Sequence, residues 1–304
     1  MLGLALSAGC GGPTAKPPVR PVLRVANAFA PFSVPLTAEY KRSLPRLDVQ
    51  AQNSADSYGV IDALQHGNAD LGIALADVAY AAYWSGETKP ASERSLIRGV
   101  SLLQPLSAYV LVRARSGIHR LADLQGRNVG LGARTSSSSN LAYLLLDAFD
   151  VRANITNVAT RAEGAAGLKN GTFDAIFLPG YTYPDEVTYS AIKEGAYLIP
   201  IEGEPLERLR WNNPFVRLAT IPRDIYPGQN QMIPTVGIDM VVLCRRDLDE
   251  SIVYDVTAQL FNAYPRLSGV EASLKFLNID EAPATPIPLH AGAARYFRER
   301  ELSR

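Results

Sequence analysis

"TVGIDMVVLCRR", residues 235–246, is the stretch on which the reading of the fold turns. It is apolar over most of its length, rich in β-branched side chains and lacks helical spacing, so it reads as one long strand with Cys244 buried inside it. A second such run, "SAYVLVRA" (107–114), stands far upstream. On either side of these two runs the sequence alternates short apolar strands with helical segments, which is the pattern of a parallel sheet covered by helices.

Toward the N-terminus, "VLRVANA" (22–28), "LDVQAQN" (47–53) and "ADLGIAL" (69–75) are expected strands, separated by the helical stretches "PLTAEYKRSL" and "DSYGVIDALQHG". In the latter, Val60, Ile61 and Leu64 share a face and Gly67 suits the position just past the last turn. A third helix, "ADVAYAAYWSG", leads to "SLIRGVSLL" and then to 107–114, which are expected as two further strands. The alternation restarts at "NVGLGA" and a helix over 137–149 whose buried stripe is Leu141, Leu144, Leu145 and Phe149. "TFDAIFLPG" is a strand, "PDEVTYSAIKEG" a helix and "AYLIPI" a strand; prolines then crowd residues 204–228 before the long strand at 235 and a closing amphipathic helix.

A chain that enters a second α/β lobe by one extended strand and returns by another makes a two-lobed clamp. The cleft between the lobes is the default small-molecule site and the crossing strands are natural hinges. The expected division is lobe one at 22–115 plus 222–304, lobe two at 116–221, and a leader and tether over 1–21. In that leader, "MLGLALSAGC" followed by "GGPTAKPPVRP" reads as the end of a lipoprotein signal with Cys10 as the lipidated residue, or as an ordinary cleaved export signal or truncated start.

Composition narrows the partners. Among 304 residues, 47% are hydrophobic and 20% charged, with 30 basic against 30 acidic side chains. There is no basic run interleaved with aromatics, so nucleic acid is not an expected partner, and a small organic solute is. His66, His119 and His290 are scattered and two cysteines stand in unlike settings, so neither a metal site nor a disulfide framework is expected. "GLGART" (130–135) lacks the last glycine of a dinucleotide loop, and the acidic candidates Asp147 and Asp150 fall in or just after the helix. No cofactor and no catalytic residue is therefore expected.

Five stretches taken together resemble the TAXI family of TRAP-transporter solute-binding subunits: "GNADLGIALADVAYAAY" (67–83), "SGIHRLADLQGRNVGLG" (116–132), "GTFDAIF" (171–177), "IPRDIYPG" (221–228) and "TVGIDMVVLCRRDLDESIVYDVT" (235–257). The resemblance implies a type II periplasmic-binding-protein fold, an extracytoplasmic location and a TRAP membrane subunit as partner. It implies a ligand carrying a carboxylate, such as an amino acid or dicarboxylate. It also places "GARTSSSSN" (132–140) at the family's Gly-Ser-Gly-Thr loop, at the entrance of the first helix of lobe two.

The candidate site follows from strand ends. Thr135, Ser136, Ser137, Ser138 and Ser139 would present hydroxyls and first-turn amides to an anion, with Arg134 able to pair with a carboxylate; self-capping of the helix is the competing reading. Asn53 and Ser54 end the second strand, where open α/β sheets place ligands, although Ser54 or Asp56 would also serve as a helix cap. Asp77 would meet a ligand ammonium or cap its own helix. Tyr80, Tyr181 and Tyr226 are candidates for packing on an aliphatic part. Phe32 and Ser33 are candidates by their place in the first loop, "NAFAPFSVPL". A ligand-sensing module for a receptor and an α/β enzyme acting on an anionic substrate remain the alternative functions.

Overall fold

The computed structural model describes residues 20–87, 95–134, 136–180, 184–270 and 277–303. Cys10 and nearly all of the leader and tether lie outside them. The strands are β1 (Val22–Asn27), β2 (Asp48–Asn53), β3 (Leu71–Leu75), β4 (Ile97–Val112), β5 (Asn128–Leu131), β6 (Asn154–Asn157), β7 (Ala175–Gly180), β8 (Tyr197–Leu198), β9 (Val216–Ile221) and β10 (Ile233–Arg245). The helices are α1 (Ala30–Ser43), α2 (Ser57–Gln65), α3 (Ala76–Glu87), α4 (Ser137–Ala148), α5 (Arg161–Asn170), α6 (Glu186–Lys193), α7 (Pro205–Asn212), α8 (Glu250–Val270) and α9 (Ala291–Leu302).

One mixed sheet in the order β2-β1-β3-β10-β4-β7-β5-β6 runs through the molecule. At each end a parallel trio puts its first strand in the middle: β1 between β2 and β3, and β5 between β6 and β7. The two trios are joined by β4 and β10, which are antiparallel to each other and buried along most of their length. Beyond its pairing with β4, β10 gives its last part to β3 and its first part to β9, while β4 gives its last part to β7. Each long strand therefore belongs to both halves. Their burial follows from near-continuous apolar sequence, the signature of strands covered on both faces.

The expected strands at 95–103 and 107–114 are in fact one strand, β4, which runs straight through Pro105. A proline cannot donate to a ladder, and this one faces Asp239 at a register break between Asp239 and Val241, where pairing is already interrupted. Four further elements depart from expectation. α1 starts at Ala30, with a proline in its first two positions, so the supposed first loop is mostly helix. The proline-crowded segment contains α7, opened by Pro205, and β9. α5 has almost no apolar stripe because two of its three buried residues are Gly164 and Gly167, the third being Leu168; a Cβ on Gly167 would stand 2.5 Å from the Phe173 ring.

Where β4 and β10 cross, Gly237 lets the strands approach, since a Cβ there would lie 2.9 Å from the Leu106 carbonyl oxygen and 3.0 Å from Pro105 Cβ. Gly237→Ala is expected to lower stability by about 1–3 kcal/mol through overpacking, read as a lower urea midpoint at unchanged slope. The neighbouring Asp239 is 6% exposed, 3.7 Å from Arg217, and Arg217 is also paired with Glu281 at 2.5 Å. Burial pushes the Asp239 carboxyl up to about 6 from an ordinary 3.8, with Arg217 opposing and Glu281 adding to the rise. The folded state thus holds this proton more tightly than the unfolded chain, and the group's contribution to stability falls as pH rises from about 4 to about 6. A tenfold difference in proton affinity between the two states corresponds to about 1.4 kcal/mol. Asp239→Asn is accordingly expected to gain about 2–3 kcal/mol relative to the native chain across that window, measured by chemical unfolding at each pH.

Candidate functional site

The loops after β1, β2 and β3 and those after β5 and β7 converge on one cleft. Its first wall carries Ala28 and Phe29 from the end of β1, Asp56, Ser57 and Tyr58 from the start of α2, and Leu75 from the end of β3. Its second wall carries Ala133 and Ser136, Ser137 and Ser138 from the entrance of α4, with Pro179 from β7; Leu106 of β4 forms the floor. The cleft has a volume of about 880 Å³, counted out to solvent. Below it a narrower apolar pocket of about 290 Å³ shares Leu75, Leu106, Ser137 and Ser138 and is closed by Leu141, Phe177 and Ile238.

The serine run is ordered by its own hydrogen bonds. Ser136 caps α4, its Oγ accepting the Ser139 N–H at 3.3 Å, and lies 3.1 Å from both the Ser138 and the Ser139 hydroxyls. Self-capping and a place in the cleft wall therefore coexist in the same residue. No acceptor among the described residues meets the N–H groups of Ser137 and Ser138, the free donors expected of a first turn. Ser137 Oγ donates to Asp77 Oδ1 at 3.0 Å, which joins α4 to the start of α3. Burial raises the Asp77 carboxyl above its usual range, while that hydroxyl and the amides of Val78 and Asp77 pull it back.

Several candidates sit elsewhere. Phe32 and Ser33 are each 1% exposed inside α1: Phe32 belongs to the core and the Ser33 hydroxyl donates to the Phe29 carbonyl, so neither reaches the cleft. The reason is that α1 begins earlier than expected and turns both inward. Asn53 is exposed and Ser54 half-buried at the end of β2, outside the lining; Asp56 is the residue that caps α2, accepting the Gly59 N–H at 2.9 Å. Ser139 is buried behind Ser136. Tyr80 packs against Trp84 and Phe215. Tyr226 is buried against Tyr109 and donates to Asp185 Oδ2 at 3.2 Å, within the core of the second half. Arg134 is exposed and is not part of the wall. Thr135 and Tyr181 lie outside the described residues.

The residues that the sequence reading passed over are Phe29, Tyr58, Leu75, Leu106 and Pro179. Their signal was positional: each of the first three stands at or shortly after the C-terminal end of a parallel strand, but apolar side chains there look like ordinary packing. His290, one of the three scattered histidines, caps α9 by accepting the Gly292 N–H at Nδ1, and its burial holds it below its usual pKa. Among the described residues no group of three or more His, Cys, Asp or Glu is placed to hold a metal, and no helix is long and apolar enough to cross a membrane.

Comparison with known proteins decides the family. A model of the NMT1-like family matches residues 31–300, nearly the whole chain. The chain belongs to the NMT1-like family. Among solved structures, this NMT1-like chain is similar in fold to XAC2383 from Xanthomonas citri bound to chloride ion, at 14% identity and a TM-score of 0.55, with 91% of this chain and 95% of that one covered. It is likewise similar to the periplasmic aliphatic sulphonate binding protein SsuA from Escherichia coli, at 17% identity and a TM-score of 0.53, covering 93% and 94%. The fold is the α/β arrangement, a mixed sheet covered by helices, of the two-lobed periplasmic binding proteins.

The cap at the cleft is testable by itself. Ser136→Ala is expected to lower global stability by about 1 kcal/mol, the usual loss for an N-cap, and to speed hydrogen exchange of the Ser139 amide above that of the α4 interior.

Proposed function

We propose that this NMT1-like protein is an extracytoplasmic solute-binding protein that closes two lobes on a small organic solute and hands it to a membrane transporter. Lobe one comprises 22–115 and 222–304, lobe two 116–221, and the hinge is the crossing of β4 and β10 around Pro105 and Asp239. The observation that carries this reading is the cleft itself, a concave site lined by apolar side chains and a few convergent polar groups, with walls from separate halves connected through β4 and β10. No bond is made or broken in this cycle. The solute binds the closed arrangement better than the open one and shifts the population toward it.

A carboxylate on the solute would be received by the N–H groups of Ser137 and Ser138, where the positive end of α4 faces the cleft. The fold relative named for aliphatic sulphonates supports an anionic head group in this kind of cleft. The apolar leader ending at Cys10 supports export, with or without lipidation. The five stretches resembling TAXI subunits support a TRAP-type membrane subunit as the recipient.

The test is a thermal-shift screen of amino acids, organic acids and sulphonates, followed by small-angle scattering of any hit. A true solute at one hundred times its Kd stabilises the protein by about 2.7 kcal/mol and is expected to shrink the radius of gyration as the lobes close. A set of hits that leaves the radius unchanged, or a screen without a hit, would sink the closure reading.

A further inference from the structure

Among the described residues four carboxyl side chains are buried: Glu39, Asp70, Asp77 and Asp239. Three are answered by arginine. Glu39 pairs with Arg42 and Arg266, Asp70 with Arg24 at 2.7 Å, and Asp239 with Arg217 at 3.7 Å. Asp77 has no ion pair among the described residues; its side-chain partner is the Ser137 hydroxyl. It is also the buried acid that stands against the cleft, since Ser137 lines both the cleft and the pocket beneath it.

A hydroxyl has one proton and two lone pairs. The Ser137 proton is committed to Asp77, so toward the cleft Ser137 offers acceptor capacity only, and that capacity is strengthened by the carboxyl behind it. Asp56 stands at the same cleft, exposed, and among the described residues it has no ion pair and no lysine or arginine lines the wall. Apart from the hydroxyls of Ser57, Ser136 and Ser138, the rest of the lining is apolar or aromatic, with Phe29, Tyr58, Leu75 and Leu106 its large side chains. Aromatic faces beside a carboxyl favour a cation with an apolar body.

We infer that the solute is an α-amino acid with an apolar side chain, whose ammonium donates to Ser137 Oγ and is neutralised through it by Asp77 while its side chain lies on Phe29, Tyr58 and Leu75. This rests on the carboxylate reading above, in which the neighbouring N–H groups of Ser137 and Ser138 receive the other end of the zwitterion. One acceptor hydroxyl and two N–H groups that meet no acceptor among the described residues share a single helical turn, which suits the short span between an amine and a carboxylate on one carbon.

The experiment is calorimetry on the full chain with L-leucine and L-phenylalanine, with 4-methylpentanoate, which lacks the amine, with 3-methylbutylamine, which lacks the carboxylate, and with L-glutamate. At least one of the two amino acids is expected to bind, L-glutamate and both truncated analogues at least tenfold more weakly. Asp77→Asn is expected to weaken the amino acid at least tenfold and to leave 4-methylpentanoate within twofold. If 4-methylpentanoate binds as tightly as L-leucine, the ammonium contact is wrong and the solute-binding cleft stands. If 3-methylbutylamine equals L-leucine, the carboxylate contact falls instead, and with it the amino-acid assignment. Failure of both apolar amino acids, with or without a hit elsewhere in the wider screen, overturns the inference. Should Asp77→Asn unfold the protein, the analogue series on the native chain still decides.

Discussion

The antiparallel pairing of β4 with β10 is the constraint from which the rest of this molecule follows. β10 is hydrogen-bonded to the first parallel trio through β3 and β4 to the second through β7, so among the described residues the sheet joins the two trios only through the pairing of β10 with β4. A sheet built this way has a middle that belongs to neither half. That middle contains a proline without a donor, a register break, a glycine at the closest approach and a buried carboxyl. The proline and the register break interrupt regular pairing there, and in the proposed closing motion the crossing would be the point that bends while apolar burial on either side keeps the strands paired. A hinge requires that combination of a soft centre and firm flanks.

The same pairing sets where ligands can bind. Because the flanking trios are parallel, the loops after their strands emerge on one edge, and the two edges face each other across β4 and β10. Helices starting there bring their unpaired first-turn amides with them. Thr160 and Asp185 use their side chains to cap α5 and α6, accepting the Glu163 and Thr188 amides. At α4 the cap is made by Ser136 alone, so the adjoining serines are left to face the cleft. A run that looks like slack chain is therefore fixed at one end by a helix and at the other by β5.

Much of this architecture was legible in the sequence because period and burial agree there. The long strand β10, the restart of the alternation at 128 and the stripe of Leu141 and Leu145 on α4 all express a hydrophobic pattern that tertiary structure does not override. What was not legible obeys other physics. α5 is built on glycines that fit beneath Phe173, so its helicity has no apolar signature. α1 opens through Pro31, whose ring favours a first turn yet reads as a break. β4 passes a proline because a partner strand supplies the interruption, information that lies more than a hundred residues away in the chain. Phe32 and Ser33 were misplaced for the second of these reasons. At the cleft, Asp77 and the serines were visible as polar residues at helix starts, whereas Phe29, Tyr58 and Leu106 are ordinary apolar residues until the fold brings them together.

The unanswered charge of Asp77 bears on how closure could depend on a solute. A carboxyl withdrawn from water without a cation carries a desolvation penalty that a single neutral hydroxyl offsets only in part. In the proposed cycle, opening the lobes parts Ser137 from Asp77 and returns the carboxyl to water, so closing without a solute incurs the penalty again. A solute that brings a positive charge to Ser137 removes it in the closed state and has no comparable effect in the open one. The differential affinity that drives closure then comes from the protein's own buried acid, which disfavours the empty closed form and so keeps an unloaded protein from presenting itself as loaded.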